Sequence, residues 1–308
     1  MRSFGDDRVR RTYIVIAALW AFLWASPVLA EGANAFKWVT SIYADADGVG
    51  LKYPEGVACG ENSVVVADTG NSRLVRYSYE GPAVTARMTI PLGKASPIIA
   101  QLNSNGDIYV LDGRDRRIEG YKASGEKIGY VNPKGLPSAK DMVPKSFRID
   151  RDDNIYILDI FSESVILLDP DGQFIKKIPL PVRHGFFSDL AVDRQGKIYV
   201  LDSVKAVVHS AAKGADNFTP LTESLKEILN FPVRITVDDD GVLYLVDQNG
   251  SGLGLVAPDG SFLGRRLGLG WNKGGLYYPS QICIGDGGDV FIADRNNSRV
   301  QLYSVAAD

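Results

Sequence analysis

Along most of this chain one arrangement of apolar and polar positions keeps returning. A run of β-branched, aliphatic and aromatic residues ends in Asp at Val64–Asp68, Ile108–Asp112, Ile155–Asp159, Ile198–Asp202, Leu243–Asp247 and Val290–Asp294. Successive Asp residues stand 44, 47, 43, 45 and 47 positions apart. The runs are apolar throughout and do not alternate with polar residues, which predicts strands buried on both faces. Before each run lies a shorter apolar stretch and a turn rich in Asp, Asn and Gly. After it come a third strand such as 73–77 and a fourth such as Phe174–Ile178, joined by turns like Pro170-Asp171-Gly172. Four strands therefore fill each period. One helix is expected, at Thr222–Leu229, where Ser224 and Glu227 have capping-box spacing.

Four-stranded units that must cover both faces of every sheet assemble as blades of a propeller, each packed on the next. The fold class expected is all-β, with six blades over residues 36–308 and a short linker at 31–35. The last unit runs out after its third strand near Leu302–Val305, whereas Phe36–Tyr43 is an unassigned strand at the other end. The expectation is that residues 36–43 complete the sixth blade and close the ring.

The first and sixth units carry a family resemblance. Tyr53-Pro54-Glu55-Gly56-Val57-Ala58 leading to Ala67-Asp68-Thr69-Gly70-Asn71-Ser72-Arg73, and Tyr278-Pro279-Ser280-Gln281-Ile282 leading to Ala293-Asp294-Arg295-Asn296-Asn297-Ser298-Arg299, resemble NHL repeats. The resemblance implies a six-bladed propeller and leaves function open, since that fold serves sensors, scaffolds, RNA binders and some enzymes. It also implies that the recurrent Asp residues cap turns, and that Arg73, Arg117 and Arg299 anchor them.

Composition narrows the chemistry. The chain has 308 residues, 45% hydrophobic, with 34 Lys and Arg against 37 Asp and Glu and two residues each of His and Cys. A net charge of -3 offers no field for a polyanion, so no nucleic-acid partner is expected. Two His exclude a site that needs three, and no cofactor or metal is expected. Asp150–Asn154 and Asp238–Gly241 are read as turns between first and second strands, without the pattern of a calcium loop. There is no Gly-x-Ser-x-Gly elbow, and no catalytic residue is assigned.

The N-terminus reads as an address. Arg2, Arg8, Arg10 and Arg11 precede an apolar run from Tyr13 to Ala25, then Ser26-Pro27 and the short side chains of Val28 and Ala30. This predicts a signal peptide over residues 1–30, cleaved after Ala30, and export to the periplasm or beyond the cell. The run is shorter than the ~20 residues that span a bilayer, so membrane contact is expected only if the segment stays uncleaved. Arg10-Arg11 leaves the choice between the general and the twin-arginine translocase open. An oxidising compartment raises the question of a Cys59–Cys283 disulfide between the first and sixth inner strands. Their alignment differs by one position, which sends the side chains to opposite strand faces, so a bond and two buried thiols are both open.

Candidate ligand residues come from aligning the inner strands on their Asp. At the position that is Gly56 in the first unit stand Ile99, Ser146, Asp189, Arg234 and Gln281. Two residues on are Ala58, Gln101, Arg148, Ala191, Thr236 and Cys283. Ser146, Arg148, Asp189, Arg234 and Gln281, with Gln101 and His184, are expected to form a polar pocket at the channel mouth where the inner strands begin. Arg148 and Arg234 would hold a carboxylate or an acidic peptide. The competing expectation is that Asp189 pairs with Arg234 as a structural ion pair. His184, Phe186, Phe187, Tyr53, Tyr277 and Tyr278 lie near the same rim. The function expected is a non-enzymatic binding or scaffolding module with a protein or peptide partner, or a small ligand. The alternative is a propeller enzyme, a lyase or lactonase-like hydrolase with a metal in the channel.

Overall fold

The computed structural model describes residues 35–137, 141–181, 185–285 and 287–306. The expected signal peptide and most of the linker lie outside the described residues, as does His184.

Six antiparallel four-stranded sheets follow one another along the chain. Their inner strands are Gly56–Gly60, Pro97–Leu102, Pro144–Ile149, Phe187–Val192, Pro232–Val237 and Ile282–Ile284. Each inner strand packs against that of the next blade, and the sixth packs against the first, so the ring is closed around a central channel. The six apolar runs form the second strands, as the pattern predicts. In the sixth sheet the outer position belongs to Ala35–Ile42, paired with Arg299–Ala306 so that Trp38 faces Tyr303 and Ile42 faces Val300.

Burial explains why the runs are apolar at every position. Neighbouring residues of a strand point to opposite faces, and here each face meets another blade. Val64 and Val66 pack toward the sixth blade beside Phe291 and Val300. Val65 and Ala67 pack toward the second beside Ile108 and Val110. The same division holds in blade four, where Ile198 and Val200 join the core shared with Tyr156 and Leu158, and Tyr199 and Leu201 the core shared with Leu243 and Leu245. Six apolar layers, one between each pair of blades, replace a single core.

The recurrent Asp residues act as clasps. Asp68 Oδ1 accepts the N–H of Lys52 at 2.7 Å, and its Oδ2 accepts Asn71 Nδ2 at 2.7 Å and Arg73 Nε at 2.6 Å. Asp294 repeats this with Tyr277 N, Asn297 and Arg299. Asp68 and Asp294 thus fix both their own turn and the segment arriving from the preceding blade, whereas Asp202, among the described residues, accepts only Val204 N and Lys205 N of its own turn. Arg117 departs from the expectation: it is exposed and lies over the Tyr130 ring, 5.2 Å from its centroid, leaving Asp112 to backbone donors at Ser96 and Arg114.

The expected helix at Thr222–Leu229 is absent. Thr222 Oγ1 accepts the N–H of Val208 and Ser224 Oγ donates to the carbonyl of Lys205, so both hydroxyls serve the blade and no capping box forms. A single turn remains, closed by Leu229 N on Leu225 O, and it buries Leu225 and Leu229 against the fourth and fifth blades.

Cys59 and Cys283 form a disulfide with their Cα atoms 5.6 Å apart. Cys59 pairs across its sheet with Val64, and Cys283 with Phe291, both members of the layer between blades six and one. The opposite strand faces are the two faces that meet there. The one-position offset brings the sulfurs together.

Candidate functional site

The inner strands of blades two to five each carry a register shift at their start, between Pro97 and Ile99, Pro144 and Ser146, Phe187 and Asp189, and Pro232 and Arg234. These bulges set where the side chains that follow are aimed. Asp189, fully buried, becomes a hub of three blades. Ser146 Oγ donates to its Oδ1, and Arg148 Nη2 and Ile235 N donate to its Oδ2 at 3.0 and 2.9 Å. Arg148 Nη2 also donates to the carbonyl of Ile235 at 2.7 Å. Burial pulls the Arg148 pKa down, Asp189 holds it up, and Arg234 opposes it. The ion pair is therefore Asp189 with Arg148, not with Arg234.

Gln281 does on the other side of the channel what Asp189 does here. Its Oε1 accepts Val57 N at 3.2 Å and its Nε2 donates to Ala100 O at 3.5 Å, linking blades six, one and two. A Cβ at Gly56 would stand 3.1 Å from that Oε1 and 2.8 Å from Ala67 Cβ, which explains the glycine. Ser146, Arg148, Asp189 and Gln281 thus direct hydrogen bonds to neighbouring blades.

Gln101 and Arg148 line a cavity of about 1190 Å³ that opens on the opposite face, among the hairpins that join first and second strands. Asp150, Asp193 and Asp238 stand on its rim. Each accepts the N–H groups two and four residues on, as the turn reading predicts. Each also accepts a phenol from six residues on, Tyr156, Tyr199 and Tyr244, at 3.0, 2.9 and 2.8 Å. Burial, with these carboxylates adding to it, pushes the three phenols well above their ordinary pKa. Sequence reading missed this bond, although the Asp-to-Tyr spacing recurs in three units.

The described inner-strand residues do not suit a channel metal. Asp189 is the carboxylate of the aligned inner ring, and its oxygens are taken by Arg148, Ser146 and Ile235 N. Among the described residues no group of three His, Cys, Asp or Glu is placed to hold one.

The face where the inner strands begin is different in character. Arg234 reaches it half-buried, with Nη1 on the carbonyls of Val233 and Ser188 at 3.2 and 3.4 Å and its buried Nε without a partner. Lys145 Nζ lies 5.5 Å from the Phe186 ring centroid, and Phe186 is tilted against Phe231 at 6.0 Å. Burial lowers the Lys145 pKa, and the nearby charges of Arg234 and Arg116 lower it further. Exposed apolar side chains gather on the turns and entries of this face, with Phe161 60%, Val204 62% and Trp271 68% exposed beside Ile160, Phe186 and Tyr53.

Residues 276–303 match the family model described as NHL repeat. No curated protein matches the chain. Among solved structures, virginiamycin B lyase from Staphylococcus aureus is similar at 14% identity and a TM-score of 0.62, covering 88% of this chain and 100% of that one. A gluconolactonase from Xanthomonas campestris matches at 14% identity and a TM-score of 0.63, over 90% of this chain and 99% of its own. A protein of unknown function from Bacteroides thetaiotaomicron matches at 19% identity and 0.64, over 89% and 76%. At these identities the likeness is one of fold.

Proposed function

We propose that this chain is an exported binding or scaffolding protein that engages a protein or peptide through the face of the propeller where its inner strands begin. The observation that carries this reading is the sorting of exposed apolar side chains. Ile160, Phe161, Phe186, Val204, Trp271 and Tyr53 all stand on that face, whereas among the described residues none of the large exposed apolar side chains lies on the inner hairpins opposite. Such sorting marks an interaction surface. The disulfide supports export, because such bonds persist in oxidising compartments, here the periplasm or the medium. We read Ala35–Ile42 as the strand that latches the ring after removal of the leader.

Capture from an envelope extract tests the reading. A partner held by the mature chain should be lost with Phe161→Ser plus Val204→Ser and kept with Arg151→Ser on the opposite face. The reverse pattern refutes it. The alternative, a lyase or lactonase-like hydrolase with a channel metal, takes support from the fold of its neighbours but finds no ligand set among the described residues. Stoichiometric divalent metal in the purified protein would restore it.

A further inference from the structure

The strand-entry face carries a feature that apolar contact does not account for. Lys145, on the inner strand of blade three, has no carboxylate partner among the described residues; its ammonium lies over the ring of Phe186 at the entry of blade four. Arg234, from blade five, bonds only backbone carbonyls among the described residues and leaves a buried Nε unpaired there. The two cations converge: Arg234 Nη1 bonds the carbonyl of Ser188, two residues from the Phe186 ring that Lys145 approaches, and that ring rests against Phe231, three residues before Arg234. The charge of Asp189, which favours the Lys145 ammonium, is answered by Arg148. Cations set this close in a half-buried site repel each other and are costly to desolvate, and an incoming anion reverses both terms.

We infer that Lys145 and Arg234, walled by Phe186 and Phe231, form a subsite for a peptide segment that presents a carboxylate side chain next to apolar ones. The carboxylate would accept hydrogen bonds from the Arg234 guanidinium and Lys145 ammonium, which is where charge-assisted bonds are strongest. The apolar neighbours of that residue would lie along Phe186, Val204 and Phe161, whose spread across two blades suits an extended segment better than a compact small molecule. The inference rests on the binding reading above and specifies what the face recognises.

The test uses the full mature chain and two amidated hexapeptides that differ in one residue, Asp or Asn, flanked by Leu and Phe. Calorimetry should show the Asp peptide binding roughly tenfold more tightly than its Asn counterpart, with the difference shrinking as salt is raised. NMR of reductively ¹³C-methylated lysines should show the Lys145 signal titrating at higher pH when the Asp peptide is bound. K145Q and R234Q, each checked for an unchanged thermal unfolding profile, should bring the two peptides to equal affinity. Equal affinities in the parent protein, a preference that survives both variants, or no binding of either peptide at millimolar concentration would overturn the subsite. Loss of the subsite alone leaves partner capture sensitive to Phe161→Ser plus Val204→Ser, so its failure is distinguishable from failure of the binding reading.

Discussion

Arg148 Nη2 and Asp189 Oδ2 stand 3.0 Å apart across the joint between the third and fourth blades, with both side chains removed from water. A buried ion pair of this kind is a structural commitment: removing one member strands the other charge.

Asp189→Ala is therefore expected to cost about 3–5 kcal/mol of unfolding free energy, read from urea denaturation. Asp189→Leu combined with Arg148→Met should cost less than Asp189→Ala alone, since no charge is left behind. A cost below about 1 kcal/mol for Asp189→Ala would mean that water reaches Arg148.

The Cys59–Cys283 bond closes a sequence separation of 224 residues. Thiol titration of the denatured, unreduced protein should find no free thiol. Cys59→Ser should lower stability by about 2–5 kcal/mol, seen as a drop in Tm that reducing agent reproduces in the parent protein and does not deepen in the variant.

Arg299 and Arg117 occupy equivalent places five residues after their Asp, yet Arg299 is buried on Asp294 and Arg117 is exposed on Tyr130. Arg299→Ala should destabilise by about 3 kcal/mol or more, and Arg117→Ala by less than about 1 kcal/mol. Similar losses in the two variants would refute the distinction.

His209 is buried, and burial holds its pKa below the ordinary 6.5, more than the opposing charge of Asp202 raises it. The unfolded chain therefore binds a proton at this side chain before the folded one does. Its contribution to stability is present above pH 6.5 and is lost as pH falls through that value toward the lower folded pKa. Unfolding free energy measured from pH 7.5 to pH 5 should fall more steeply in the parent protein than in His209→Gln. Parallel curves would remove His209 from the pH response.

Much of this architecture is legible along the chain, because it rests on periodic and local rules. Six runs without alternation could only be strands covered on both sides, and the Asp that ends each run is a turn acceptor wherever backbone N–H groups converge. The Ser224 and Glu227 spacing misled, since the hydroxyls of Thr222 and Ser224 had nearer partners in the blade than a helix terminus. The left-handed backbone of the fourth residue after each Asp, at Ser72, Arg116, Glu163, Ala206, Ser251 and Ser298, left no compositional sign, because none of these positions is glycine.

What the sequence by itself determined is the number and order of the blades, their apolar layers and their Asp clasps. Only the tertiary structure decided that Asp189 takes Arg148 and leaves Arg234 to backbone carbonyls, that Gln281 spans to Val57 and Ala100, and that Cys59 meets Cys283. Those choices lie between strands far apart in sequence. A one-residue bulge at an inner-strand start, or a one-position offset between blades, changes which side chains face each other, and no periodicity within a single strand carries that information.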